Sequence, residues 1–414
     1  MIDRAWAARL DDEDPLAPFV ERFCLPADEP PPIYFDGNSL GPQPLAAAAA
    51  VRAELDRWGS RLIRGWNERW LALVDAAADR VAQVVGADAN AVVVGDSTTV
   101  CLHKAASAAL QSCPQRPDVV TDRGNFPTDL YVLQAVADGA GGRLRMVAAA
   151  PGVDEVAAAV DDRVGLVALS HVDFRTGALL DLRAITDVTR RAGALSLWDL
   201  SHSAGVVPVG LDDAGVDLAV GCTYKYLNGG PGAPAYLYGR PGLADGLRTP
   251  IPGWFGHVDP FAMESTYRPA PGIDRFRAGT PPILSIAALL PGLALVAEAG
   301  VAAIRAKSVA LTGLAISLAD AWLAPLDVAV VTPRDPDRRG GHVALRCPNA
   351  RVVSALLVEE HGVIGDAREP DILRLGLSPL HLRFVDVHDG MRRIADALAR
   401  DDVSARTIDP GPAP

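Results

Sequence analysis

Lysine is nearly absent from this sequence. Of 39 basic residues only Lys104, Lys225 and Lys307 are lysines, so the place of each is informative. No run of Lys or Arg occurs, and 51 acidic residues leave a net charge of −12. A nucleic acid or an anionic membrane surface would find no local basic patch against that field. Cysteine is scarce as well: Cys24, Cys101, Cys113, Cys222 and Cys347 are odd in number and scattered, with no C-x-x-C. That pattern argues against a disulfide framework or a structural zinc site, and it fits a reducing compartment; no metal is expected. No apolar run reads as long enough to span a membrane, and Met1-Ile2-Asp3-Arg4 lacks the basic-then-apolar order of a signal peptide, so a cytoplasmic location is expected. The G-x-G-x-x-G of a dinucleotide site is missing after the first predicted strand, which removes the main support for a nicotinamide enzyme.

What is present is ordinary globular material, 49% apolar and 22% charged, in 414 residues. That length exceeds one hydrophobic core and predicts two or three domains. The first stretch, to about Pro32, mixes acidic residues and prolines and reads as an irregular or short-helical arm. Past Pro44, an alanine-rich segment running to Val85 reads as helical. Short apolar runs then alternate with amphipathic segments. Strands are predicted at 91–94, 118–121, 143–147, 164–169, 195–198, 218–220 and 234–238, with helices at 128–137, 153–160 and 182–191. Strands separated by helical crossovers imply a mostly parallel sheet covered on both faces. After Ile283 one long apolar helix leads to a second pattern, with strands at 328–331, 342–346 and 372–375 and helices at 352–360 and 387–399. The fold class is therefore α/β, with a mostly parallel central sheet in a large domain and a smaller α/β C-terminal domain. The expected division is an arm and start of the small domain at 1–45, a large domain at 46–290, a small domain at 291–403 and a tail at 404–414.

In an open parallel sheet, ligands bind at the carboxyl ends of the strands. After the first predicted strand comes Gly95-Asp96-Ser97-Thr98-Thr99 and then a helix, which is either simple N-capping or a phosphate cradle. The strand at 195–198 ends in Asp199, a carboxylate able to hold a ring nitrogen protonated. The strand at 218–220 leads into Cys222-Thr223-Tyr224-Lys225-Tyr226-Leu227-Asn228 and a Gly-rich loop. A lone lysine there reads as a Schiff-base lysine, its amine freed of its proton by burial and neighbouring positive charge. Cradle, strand-end aspartate and later lysine form, in that order, the layout of pyridoxal phosphate enzymes of the aspartate-aminotransferase fold.

The residues also carry a resemblance. The segments 34–41 (Tyr-Phe-Asp-Gly-Asn-Ser-Leu-Gly), 126–129 (Phe-Pro-Thr-Asp), 170–177, 199–202 (Asp-Leu-Ser-His), 224–228 (Tyr-Lys-Tyr-Leu-Asn), 253–257 (Gly-Trp-Phe-Gly-His) and 276–284 resemble the kynureninase family, along nearly the whole chain. The resemblance implies a pyridoxal phosphate enzyme of fold type I that hydrolyses the Cβ–Cγ bond of L-kynurenine in tryptophan catabolism, releasing anthranilate and L-alanine. It implies cofactor contacts from Thr98, Thr99, Phe126 (stacked on the ring), Asp129, Ser170, Asp199 and His202. Tyr224 would contact the phosphate and, acidified by nearby positive charge, act as an acid, and Lys225 would be the covalent lysine. Trp254 and Thr280 would come from the neighbouring subunit, so a homodimer with shared sites is implied. Arg374 would hold the substrate α-carboxylate, and Asn38, Trp66 and Gly279 would complete the substrate pocket. Family members that favour the 3-hydroxylated substrate carry histidine at the position of Trp66 and Ser-Asn at that of Gly279-Thr280; the indole and glycine here lead to an expected preference for L-kynurenine.

Two other readings stay open. One is a 3-hydroxykynurenine-preferring enzyme. The other is a lyase of the cysteine desulfurase or selenocysteine lyase kind, which would need a reactive cysteine on a mobile loop. Cys347 reads instead as buried packing. A fold-type-I protein that has lost catalysis would be a binding module, but intact Lys225, Asp199 and Arg374 argue against it. His171, His342, His361 and His388 read as surface or packing residues, Trp58 and Trp70 as core, and residues 139–142 as a turn. Arg277 and Arg383 could be structural or carboxylate-binding.

Overall fold

The computed structural model describes residues 3–26, 28 and 30–400. The expected tail at 404–414 lies outside them. Helix α1 (Arg4–Asp12) is capped by the Asp3 side chain and precedes a short strand, β1 (Ile33–Tyr34). Helices α2 (Leu45–Arg61) and α3 (Leu71–Val85) are joined by a 3-10 turn and a π turn at Trp66–Trp70. There follow β2 (Val92–Val94), α4 (Thr98–Ser112), β3 (Asp118–Asp122), α5 (Pro127–Gly139), β4 (Leu144–Val147), α6 (Val153–Ala159), β5 (Val164–Ser170), α7 (Leu182–Arg191), β6 (Leu195–Asp199), β7 (Leu218–Gly221) and β8 (Tyr236–Gly239). Next come α8 (Ile283–Ala299), α9 (Val301–Leu318), β9 (Ala329–Val330), β10 (His342–Arg346), α10 (Ala350–Glu360), β11 (Val363–Ile364), β12 (Asp366–Arg368), β13 (Ile372–Gly376) and α11 (Phe384–Arg400).

Strands β2 to β8 form one sheet in the order β2-β8-β7-β6-β5-β3-β4. The run from β4 to β7 is parallel throughout, and β8 lies antiparallel to both its neighbours. Because side chains alternate across a strand, one face collects Val120, Val167, Leu169, Trp198 and Ala219 in one core. The other face collects Val119, Leu166, Ala168, Leu197 and Val220 in a second. Both faces are apolar because helices cover both. This is the predicted α/β architecture.

The long apolar helix expected after Ile283 is two helices, since Gly300 takes φ +76° and breaks the run into α8 and α9. The stretch Val301–Leu326 is long and apolar enough, by length and composition, to cross a membrane, contrary to expectation. It buries Lys307, paired at 2.6 Å with Asp14, and packs Leu311, Leu314, Ala315 and Leu318 into a core with β10 and α11 residues. That is how the core helix of a folded unit behaves.

The second sheet runs β12-β13-β10-β9 and is antiparallel. Its register divides residues cleanly between faces. Val343, Leu345, Leu373 and Leu375 join the core beneath. The opposite face carries His342 across from Gly376, and Asp366 across from Arg374, with Arg368 two residues on. The segment 36–39 lies over this polar face: Gly376 N–H donates to Phe35 O at 2.6 Å, and Asp36 bridges Gly376. A Cβ at Gly376 would sit 1.8 Å from Asn38 Oδ1, so only glycine allows this approach. Strand β1 pairs with β11, which ties the segment before Asp36 to the same unit.

Candidate active site

Lys225 stands in the loop after β7, at the carboxyl end of the large sheet. Its Nζ lies 2.8 Å from His202 Nε2. Burial lowers its pKa; Cys222 and Asp199 oppose that, while the positive charges of Arg374 and Arg368 add to it. The loop is fixed from two sides. Gly41 N–H donates to Tyr224 O at 2.7 Å, and a Cβ on Gly41 would lie 2.3 Å from Lys225 O. The glycine at the end of the 34–41 motif is thus a packing requirement of the lysine loop. His202 is buried, and its ring is held neutral, its pKa pushed well down by burial first and then by Lys225 and Arg374.

Asp199 ends β6, with its Oδ1 accepting the Ser201 N–H at 2.6 Å. Asp129, in the first turn of α5, is buried and hydrogen-bonded to Asp199. Burial and then the Asp199 charge drive its pKa far up, so Asp129 keeps its proton beside Asp199. Ser170, beside Asp199 in the sheet, donates to Asn125 Oδ1 at 2.8 Å. Asn125 also accepts the Phe126 N–H at 2.7 Å and thereby sets the start of α5. The Phe126 ring is 41% exposed and meets Phe174 edge-on at 5.2 Å, leaving a face free for a ligand ring.

Thr98 and Thr99 occupy the first turn of α4, behind the Ser97 cap. The Ser97 Oγ accepts from Val100 N, and among the described residues the Thr98 and Thr99 N–H groups have no acceptor. Such a helix start suits an anion. Tyr224 departs from expectation. Its phenol is not acidified; burial, then Cys222 and Asp199, push its pKa up, so it stays a proton donor at neutral pH.

Arg374 is 1% exposed and lies at the second sheet's polar face. Its Nε donates to Asp366 Oδ1 at 2.8 Å, and its Nη2 to Asp366 Oδ2 and to Ser39 Oγ. Its Nη1 donates to Phe174 O at 2.6 Å, which sets the guanidinium beside the Phe126–Phe174 pair. Asn38 is fully buried against Gly376, with its amide atoms unpartnered.

Trp66, Trp254, Gly279 and Thr280 gather elsewhere. Trp66 meets Trp70 at 5.2 Å and Phe255 at 6.1 Å; Gly279 and Thr280 line a cavity of about 350 Å³ with Phe255, Asp96 and Lys104. Trp254 is 36% exposed, and Gly279 and Thr280 are exposed too. Among the described residues no hydrogen bond or ring contact joins this group to Lys225 or Asp199.

Several residues that sequence reasoning passed over or misplaced stand close to the site. His342 does more than fill space: it is buried 5.6 Å from His202 with both ring nitrogens unpartnered. Asp366, Arg368, Asp36 and Asn125 were not singled out; Asp366 and Arg368 join the Arg374 cluster only through pairing across strands. Arg277 bonds Asp75 and Asp274, and Arg383 bonds Asp386, so both are engaged away from Arg374. Trp58, expected in the core, is 58% exposed; Trp70 is buried and donates to Glu54 at 3.0 Å. Cys347 is 1% exposed with its thiol pushed up to about 11 by burial, far from the reactive thiolate a desulfurase needs.

A profile of the kynureninase C-terminal domain matches residues 304–394. The kynureninase of Pseudomonas fluorescens is 43% identical over 97% of this chain and 96% of its own. That of Burkholderia mallei is 43% identical over 96% of each. The chain belongs to the kynureninase family. In fold it is similar to a cysteine desulfurase of Escherichia coli, with a TM-score of 0.78 at 21% identity over 93% of this chain and 98% of that one. A cystine C–S lyase solved with cysteine persulfide gives 0.78 at 21%, over 88% and 97%. At that identity the likeness shows fold type I alone. The cofactor of kynureninases, pyridoxal phosphate, fits the residues present: the Asp199–Asp129 carboxyl pair for a ring nitrogen, free N–H groups at a helix start for a phosphate, and an amine with a lowered pKa for a carbonyl.

Proposed function

We propose that this chain hydrolyses the Cβ–Cγ bond of L-kynurenine, giving anthranilate and L-alanine. The observation that carries this reading is 43% identity to a kynureninase over 97% of the chain. Bound at Lys225, pyridoxal phosphate supplies an electron sink for the carbanions that form beside the substrate amine.

The chain's own groups do the rest. Arg374 orients the substrate by its α-carboxylate. The Asp199–Asp129 pair keeps a proton at the ring nitrogen. Lys225, poised by burial to shed its proton, takes the proton from Cα, and His202 Nε2 steadies the amine at 2.8 Å. A water adds to the γ-carbonyl, the Cβ–Cγ bond breaks, and Tyr224 delivers a proton to Cβ. The phenol's raised pKa suits it to hold that proton until a carbanion calls for it.

The active unit in this reading is a homodimer in the reducing cytoplasm, a setting in keeping with five free thiols. Exposed Trp254, Gly279 and Thr280 would complete the neighbour's site, and the apolar cleft along α2, about 710 Å³ and lined by Leu40, Val51 and Leu55, would pack against the second copy. The test is incubation with L-kynurenine and, separately, L-cysteine. Anthranilate fluorescence from the first and no sulfide from the second are expected; sulfide without anthranilate would replace the reading with a desulfurase.

A further inference from the structure

A carboxylate is held best by two parallel N–H donors from one guanidinium. Arg374 cannot offer them. Four of its five N–H groups are committed, to both oxygens of Asp366, to Ser39 Oγ and to Phe174 O. One N–H remains. Its counter-ion is buried with it: Asp366 is 0% exposed and receives Ser39 Oγ as well, at 2.8 Å. Pulling Arg374 away to grip a substrate would leave Asp366 buried with fewer partners, a costly exchange.

A second guanidinium stands at the same oxygen. Arg368 Nη2 donates to Asp366 Oδ2 at 2.8 Å, so the two Nη2 atoms share one acceptor. Arg368 is less committed. Its Nη1 makes one long bond, 3.4 Å, to Ala367 O, and its Nε has no partner. Its side chain keeps 25% exposure where that of Arg374 keeps 1%. Its charge, with that of Arg374, is among those that lower the pKa of Lys225 and His202. The register explains the arrangement: Asp366 and Arg368 share a face of β12, and Asp366 lies directly across from Arg374 on β13.

We propose that Arg368 is a second substrate-carboxylate residue, supplying the free N–H donors that Arg374, fixed by Asp366, lacks. Arg374 then gives one N–H and its charge, and Arg368 turns its unpartnered edge to the other carboxylate oxygen. Asp366 acts as a positioning residue that sets both guanidinium groups at one place. This inference rests on the proposed kynurenine cleavage for its substrate, while its recognition chemistry applies to any α-amino acid.

The test compares wild type, Arg368→Gln and Arg368→Lys as cofactor-loaded enzymes with three ligands: L-kynurenine, L-alanine and the decarboxylated amine of kynurenine. Loss of a charge-assisted hydrogen bond should raise KM for L-kynurenine and the inhibition constant of L-alanine together by roughly tenfold to a hundredfold in Arg368→Gln. The constant for the amine should not move, and Arg368→Lys should recover part of the loss. In cofactor-free protein, acylation of Lys225 against pH should show its pKa rising in Arg368→Gln, a change that lost packing alone would not produce. Unchanged constants for both carboxylate ligands would overturn the proposal, as would an equal rise for the amine. If wild type binds L-alanine in an Arg368-dependent way yet leaves L-kynurenine intact, the inference stands and the proposed function falls.

Discussion

His202 Nε2 and Lys225 Nζ are 2.8 Å apart, and each is shifted toward its uncharged form, chiefly by burial. A neutral imidazole accepting from the amine at Nε2 must carry its own proton on Nδ1, which has no partner among the described residues. His342 of the second sheet stands next to that ring, 5.6 Å between centroids. The lysine amine therefore rests against a neutral imidazole, while burial and the charges of Arg374 and Arg368 keep its pKa low.

From that arrangement follows the fate of the cofactor in Lys225→Ala. The variant should fold, since a buried amine adds little to stability, yet lose covalent attachment of pyridoxal phosphate and its visible absorbance. Borohydride reduction of wild type followed by peptide mapping should place the pyridoxyl group on Lys225. Finding it on Lys104 or Lys307 would refute the assignment. Both are tied elsewhere, Lys104 to Asp96 and Phe276 O and Lys307 to Asp14.

Asp36 gives a pH signature. Burial, and then the negative charge of Asp366, raise its carboxyl to about 7. The folded state then keeps a proton that the unfolded chain has released above pH 4. The group's contribution to stability is therefore full below about pH 4 and is lost as pH rises toward 7. Urea midpoints measured from pH 4 to 8 should fall more steeply for wild type than for Asp36→Asn, the difference growing by roughly 2–4 kcal/mol across the window. Parallel curves would mean that Asp36 titrates normally.

Much of the fold was legible because its strands are short apolar runs between amphipathic helices: 182–191 and 342–346 were bounded to the residue. The strands β1, β11 and β12 were not, because two or three residues carry no period. The same limit hid the guanidinium cluster. Arg374 was visible through a motif, but Asp366 and Arg368 matter only through cross-strand register, which single-chain spacing does not encode. The acidification expected of Tyr224 is absent because burial, Cys222 and Asp199 all push its phenol up.

Shared sites in a dimer predict complementation. Lys225→Ala and Trp254→Ala chains should each be inactive alone. Mixed under exchange they should regain about a quarter of wild-type activity, because half the dimers are hybrids and each rebuilds one complete site. No recovery, with exchange confirmed by a tagged chain, would place Trp254 outside the neighbour's site.

Preference between substrates should follow Trp66 and Gly279. The indole can stack on the aniline ring, while glycine offers no side-chain partner for a ring hydroxyl, and burying one unpaired costs roughly 1–3 kcal/mol, or about tenfold to a hundredfold in kcat/KM. Wild type should favour L-kynurenine over its 3-hydroxy form, and Trp66→His with Gly279→Ser should narrow the ratio. A wild-type ratio favouring the hydroxylated substrate would contradict the expectation; an unchanged ratio in the double variant would assign it to other residues.

The most direct measurement is cleavage of L-kynurenine in ¹⁸O-labelled water, read by mass spectrometry of both products. Hydrolysis of the Cβ–Cγ bond at Lys225 predicts anthranilate and L-alanine in equal amounts, with one water oxygen built into each anthranilate carboxylate and none of either product from Lys225→Ala. Absence of anthranilate from the pyridoxal phosphate-loaded wild type, or equal cleavage by Lys225→Ala, would contradict the account.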